Sequence, residues 1–223
     1  MDIAKIQNLI GYEFNNKEFL ITAFTHSSYS NEHQVQSNEM LEFLGDSVLS
    51  LAVSEYLYQN ADSNWKEKDL SEKRAIIVNK TPLAKAIDKK KGLIGFLRCG
   101  VGEARSNPTK SEATKCDLYE AIVGAIFLDG GMQAAKAFIH RTLGANMAQA
   151  LKAKTGNYVG LLLEHTLLQK KDIFRYAQTN QDQPMFLVEV VLDQKTLSKA
   201  QAKSKAQAEK LAAKAACVKL GLL

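Results

Sequence analysis

Asn38-Glu39-Met40-Leu41-Glu42-Phe43-Leu44-Gly45-Asp46-Ser47-Val48-Leu49 sets three carboxylates into an otherwise apolar run. At helical spacing, Glu39, Glu42 and Asp46 stand at i, i+3 and i+7 and share one face. Like charges so placed repel, and a carboxylate taken out of water without a partner either costs several kcal/mol or takes up a proton. A hard divalent cation with a preference for oxygen ligands answers both problems. A second pair, Asp117 and Glu120, stands at i, i+3 and opens the apolar run Ala-Ile-Val-Gly-Ala-Ile-Phe-Leu at 121–128. Either cluster alone reads as a solvated helix face. Two of them, each in surroundings too apolar to face water, favour a metal site assembled from two helices. Mg2+ and Mn2+ both accept such oxygen donors, and the residues alone do not rank them.

Outward from these motifs the composition sets bounds. With 223 residues and 46% hydrophobic content the chain can build a real core as one large or two small domains. Cys99, Cys116 and Cys217 are scattered, odd in number and without C-x-x-C spacing, so they read as reduced thiols in a cytoplasmic protein. The amino-terminal Met-Asp-Ile-Ala-Lys-Ile has no apolar leader core, and no run of 18 uncharged apolar residues occurs. Membrane association is therefore not expected, nor is a nucleotide cofactor. Residues 157–223 hold ten Lys/Arg against six Asp/Glu, whereas the preceding 156 hold 19 against 18. The basic excess sits in the last third, where it suits phosphate binding or a solvated lysine-rich surface.

Helical periodicity dominates residues 3–150, with polar breaks near 15–16, 60–64 and 106–109. Pro82 is expected in the first turn of a helix capped by Thr81. The region 1–153 therefore reads as an all-α domain. After a short linker at 151–156 the pattern changes. Residues 161–168 are helical, 173–178 and 185–192 read as strands around a turn at 179–184, and a short third strand near 196–199 precedes an alanine-rich helix from 204 to 220. Residues 157–223 are thus expected to form a small α+β domain of order α-β-β-β-α. The helix spanning 41–58 is apolar around much of its circumference, as in a bundle centre or against a partner.

These residues also carry a resemblance. The stretch 38–49 resembles the signature of bacterial ribonuclease III, and Thr25-His26-Ser27 is similar to that family's T-H-[RK]-S segment. The likeness continues through Glu67-Lys68-Asp69-Leu70-Ser71 with Arg74, and through 117–131. It implies a ribonuclease III-type helical bundle, a Mg2+-dependent endoribonuclease that cuts double-stranded RNA, a homodimer, and structured precursors such as rRNA and some mRNAs as substrates. Glu42, Asp46, Asp117 and Glu120 would hold the metal. Asp46, Glu120 and Glu39 would serve catalysis, with Glu39 either completing the metal shell or ordering a water. In-line attack by an activated water would leave 5′-phosphate and 3′-hydroxyl ends.

The carboxy-terminal module resembles a double-stranded-RNA-binding domain, with Glu164 on its first helix and Lys203, Ser204 and Lys205 at the start of its last. A helix N-terminus flanked by lysines suits an RNA phosphate. The module also departs from the family. Ala206 replaces a lysine, Gly160 and Leu163 replace polar residues, Ala200 and Ala202 replace glycines, and 179–183 lacks the G-P-x-H loop. Glu67 matches a residue that approaches substrate or the second subunit, although a plain surface acid fits its position equally. His26, with no ligand partner at metal spacing, reads as structural, and Trp65 as a packing anchor. Thr114-Lys115-Cys116 stand where the family usually has Ile-Leu-Ala. A noncatalytic RNA-binding protein of the same fold would have no reason to keep five acids in an apolar setting.

Overall fold

A computed structural model describes residues 1–102, 111–152, 158–178 and 185–222. It divides into two compact units, Met1–Ala153 and Lys154–Leu223. The first is helical: α1 (Ile3–Ile10), α2 (Lys17–Ala23), α3 (Ser27–His33), α4 (Glu39–Gln59), α5 (Glu67–Ile77), α6 (Lys80–Asp88), a 3-10 turn (Leu93–Phe96) and α7 (Glu112–Lys152). Several boundaries follow from local chemistry. Asp2 and Asn16 cap α1 and α2 by accepting from the Lys5 and Glu18 amides, and Gly11 ends α1 in the left-handed region at φ 74°. Gly131, at φ 74° and ψ −176°, breaks α7 into two helices.

Packing is organised around α4 and the first half of α7. One face of α4 buries Leu41, Gly45, Val48, Leu49, Ala52, Val53 and Leu57. On α7, Leu118, Ile122, Val123, Ala125 and Ile126 are fully buried against it in one continuous core. α7 is the one helix among the described residues long and apolar enough in composition to cross a bilayer; here its apolar side chains fill the bundle interior. At the crossing, a Cβ on Gly45 would lie 1.8 Å from the Glu120 carbonyl oxygen, and one on Gly124 would lie 2.2 Å from that of Leu41. Only glycine lets the two backbones meet.

Two polar clasps hold the bundle. The Asp129 carboxylate, just before the α7 break, accepts from the Tyr12 hydroxyl (2.7 Å) and from the Asn15 and Asn16 amides (2.9 and 2.8 Å). Burial alone would raise this carboxyl, but the donated hydrogen bonds outweigh it and hold it below the usual range. Buried Lys73 donates to the Ala150 carbonyl at 2.6 Å while its ammonium lies 4.2 Å from the centre of the Trp65 ring. The start of α6 differs from expectation. Asn79, not Thr81, is its N-cap residue, and the Thr81 hydroxyl instead reaches Glu112 at 3.3 Å.

In the second unit, α8 (Tyr158–Thr166) and a single turn α9 (Lys170–Ile173) lead into β1 (Phe174–Gln178), β2 (Phe186–Leu192) and β3 (Lys195–Ala202), followed by α10 (Lys205–Lys219). The sheet is antiparallel in the order β1-β2-β3. β3 is longer than the expected 196–199. Its charged residues weaken the sequence pattern, while the paired backbone and the tight turn at Asp193 and Gln194 (φ 48° and 59°) fix the hairpin. Ala208, Ala212, Ala213, Ala216 and Cys217 of α10 pack with Val188 and Val190 of β2. The expected polar break at 106–109, the expected turn at 179–184 and most of the expected linker lie outside the described residues.

The crossing yields a prediction. Gly124→Ala should cost about 1–3 kcal/mol or more, because backbone rather than a mobile side chain occupies the space. Gly144→Ala, where a Cβ meets nothing within 4 Å inside α7, should leave the thermal midpoint unchanged or raise it slightly, because alanine favours a helix interior over glycine. Equal midpoints for the two variants would refute the close-contact account.

Candidate metal centre

The glycine contact sets the site. Because Gly45 rests on the Glu120 carbonyl and Gly124 on that of Leu41, the residues beside these contacts, Glu42 and Asp46 on α4 and Asp117 and Glu120 on α7, are drawn together. The donor atoms of Cys116, Asp117 and Glu120 all lie within 4.8 Å of one another. Glu42, Asp117 and Glu120 are half-buried and Asp46 is exposed. Glu39 stands at the exposed edge, where its carboxylate accepts from the Ser37 hydroxyl at 2.9 Å.

The electrostatics show that these groups form one cluster. Burial, and then the carboxylates of Asp46, Glu42 and Asp117, push the Glu120 carboxyl up to about 7. Glu42 is raised by burial and by Asp117, Glu39 and Asp46, with Lys80 opposing. Asp117 is raised by burial against the pull of Lys80 and His26. Burial, with Glu120 and Asp117 adding, lifts the Cys116 thiol to about 12. Among the described residues, no Lys or Arg nitrogen lies within 4.0 Å of any of the five acids. The cluster therefore carries negative charge that its own side chains do not neutralise. Its donors are mostly carboxylate oxygens, which fits a hard divalent cation.

Three neighbours were not legible as site residues. Cys116 precedes Asp117 and lies one turn from Glu120, so its i, i+4 spacing to that acid was the available signal. Lys80 comes from α6, far away in sequence, and nothing local marked it. His26 does have a structural role, since its Nδ1 accepts from the Ser28 amide at 3.3 Å as the cap of α3, and it also lies close enough to Asp117 to favour that carboxylate.

The remaining residues singled out in the sequence lie elsewhere. Glu67 begins α5, accepts from the Ser71 hydroxyl at 2.7 Å, and lines a cleft of about 280 Å3 with Ser54, Tyr58 and Arg74. In the second unit Glu164 is exposed on α8. Lys203, Ser204 and Lys205 are exposed where α10 begins, and Ser204 caps that helix by accepting from the Gln207 amide at 3.3 Å. The Lys205 ammonium sits 4.0 Å from the centre of the Tyr176 ring. Glu209 behind it is buried and ion-paired with Lys170; burial, with Glu209 adding, lifts the Tyr176 hydroxyl to about 12.

The raised Glu120 carboxyl has a stability consequence. Between the ordinary carboxylate range and about pH 7 the folded protein binds more protons at this site than the unfolded chain, so the site lowers stability as pH rises through that window. In metal-free protein, Glu120→Gln should therefore melt above wild type near pH 8, with the gap closing near pH 5. A divalent cation should raise the wild-type midpoint near pH 8 and raise that of the variant less. Parallel melting curves at the two pH values would contradict the electrostatic reading.

Comparison with known proteins places both units in known families. Residues 16–147 match the family described as Ribonuclease-III-like, and residues 158–220 match the double-stranded RNA binding motif. A protein named Ribonuclease 3 from Streptococcus thermophilus is 35% identical over 224 residues, covering 97% of each chain. Another of that name from Halalkalibacterium halodurans is 38% identical over 215 residues, covering 93% of this chain and 81% of the relative. The solved nuclease domain of ribonuclease III from Campylobacter jejuni is 37% identical, covers 65% of this chain and 98% of its own, and superposes with a TM-score of 0.60. With the motif, the helical unit and the α-β-β-β-α unit in agreement, this chain belongs to the ribonuclease III family of endoribonucleases.

Proposed function

We propose that this endoribonuclease acts on double-stranded RNA with Mg2+ held by Glu42, Asp46, Asp117 and Glu120, with Mn2+ able to substitute. The observation that carries this reading is the convergence of carboxylates from α4 and α7 with no Lys or Arg ion-paired to them among the described residues. When bound, Mg2+ supplies Lewis-acid activation of a water nucleophile and a charge sink for the departing 3′ oxygen. Asp46 and Glu120 would be among the groups that hold the metal. Glu39, at the exposed edge, would complete the metal shell or order the attacking water. The products carry 5′ phosphate and 3′ hydroxyl ends, and structured precursors such as rRNA and some mRNAs in the cytoplasm are the substrates.

Residues 1–153 form the nuclease part of this reading and 157–223 the RNA-binding part. Lys203 and Lys205 beside the Ser204-capped start of α10 suit a phosphate of the duplex backbone, with Glu164 on the neighbouring α8 as a further contact. Glu67, in its cleft on the nuclease unit, is read as a contact to substrate or to a second subunit.

A homodimer is supported by the outer face of α4, where Met40, Phe43, Leu51 and Tyr58 are 67%, 73%, 57% and 78% exposed. Their spacing lays them along one stripe opposite the core face. An apolar stripe of this kind on a soluble surface marks an interaction site. The nuclease domain of Campylobacter jejuni ribonuclease III has a structurally flexible region involved in dimer formation.

Cleavage of an end-labelled RNA duplex tests the reading. Glu120→Gln should lower the rate by at least about a hundredfold, since losing a metal ligand exceeds the loss of an outer-shell partner, while duplex binding persists. Lys203→Ala with Lys205→Ala should instead weaken binding and make its salt dependence shallower by about one unit per lost contact. Wild type that binds duplex yet leaves it intact with Mg2+ would sink the nuclease assignment. For the stripe, Phe43→Glu should shift the protein to a monomer in sedimentation equilibrium, and an unchanged mass would refute the interface.

A further inference from the structure

We propose that Cys116 gives the acidic centre a sulfur donor, so that it also binds a borderline or soft divalent cation, of the Zn2+ or Cd2+ class, through Cys116 Sγ, Asp117 and Glu120. This inference rests on the metal reading of the site given above and adds a ligand that an all-oxygen Mg2+ centre does not contain. Cys116 is only 4% exposed, and its Sγ lies within 4.8 Å of donor oxygens on both Asp117 and Glu120. Two donors on a tetrahedral ion with bonds of about 2.0–2.3 Å stand roughly 3.5 Å apart, so small side-chain rotations complete the set. Cys116 and Glu120 are one turn apart and Asp117 and Glu120 are three residues apart, so a single stretch of α7 carries all three donors.

Sulfur changes which ions the centre prefers. Thiolate favours Zn2+ and softer ions, whereas Mg2+ takes oxygen and water and gains little from sulfur. On binding, the S–H bond gives way to a sulfur–metal bond and the proton passes to solvent. A Zn2+-class ion held by Cys116, Asp117 and Glu120 occupies carboxylates that the proposed Mg2+ centre needs. The other cysteines provide controls: Cys99 is half-buried, and Cys217, in the second unit, places its Sγ 3.5 Å from the Tyr158 carbonyl.

The test is titration of the full-length, metal-free protein with Cd2+, following the ultraviolet charge-transfer band of a cadmium–thiolate bond, with circular dichroism to verify folding of each variant. Wild type should show the band, and both Cys116→Ala and Cys116→Ser should lose it. Their Cd2+ affinity should fall by at least the roughly 10–100-fold that loss of an outer-shell partner costs. Glu120→Gln should keep the band but bind more weakly. A wild type without the band, or a band that survives in both Cys116 variants, overturns the inference. So does a Glu120→Gln variant with undiminished affinity. Mg2+-dependent duplex cleavage by wild type is read separately: cleavage without the band defeats the sulfur ligand alone, and the band without cleavage defeats the proposed nuclease reaction alone.

Discussion

Two helices touching through bare backbone is the constraint on which the nuclease unit depends. Gly45 on the Glu120 carbonyl and Gly124 on the Leu41 carbonyl leave no room for a methyl group on either side. Interiors are packed closely enough that an added carbon there has to move a helix axis. The same contact that seals the core brings four carboxylates to one place. Helix packing and site geometry are therefore one arrangement, and a change that relaxes the packing also separates the acids.

The charge distribution follows from that arrangement. Drawing Glu42, Asp117 and Glu120 partly out of water beside one another raises all three carboxyls, although Lys80 opposes at Glu42 and Asp117, His26 at Asp117 and a hydrogen bond from Cys116 at Glu120. Two other acids drawn into the structure are compensated by their neighbours. Asp129 is surrounded by donors and held low, and Glu209 is ion-paired to Lys170. The acid cluster contrasts with both: burial and mutual repulsion raise its carboxyls, and among the described residues no Lys or Arg is ion-paired with them.

The structure divides between two faces the apolar residues of α4 that the sequence pattern left undivided. They were too numerous for one buried stripe, so a central bundle helix and a partner-facing helix were equally good readings. The structure assigns Leu41, Val48, Leu49 and Leu57 to the core and leaves Met40, Phe43, Leu51 and Tyr58 on the surface. Periodicity alone could not make that division, because both stripes recur at helical spacing. In the second unit the lysine-rich β3 and the single turn α9 were similarly hard to read. Charged residues on a solvent-facing strand mask its alternation, and a four-residue helix has no period to detect.

What the sequence determined by itself is local: the helical spacing of Glu39, Glu42 and Asp46, the Asp117–Glu120 pair, the breaks near 15–16 and 60–64 and the change of pattern after residue 150. Those are properties of neighbouring residues, fixed by the geometry of one turn of helix. What only the tertiary structure decided is which distant residues share a place. Cys116 and Lys80 join the acids, His26 caps a helix while facing Asp117, and Lys205 rests on Tyr176. The reason is that proximity across elements is set by how closely backbones approach. Here that approach is governed by two glycines whose spacing along the chain says nothing about each other.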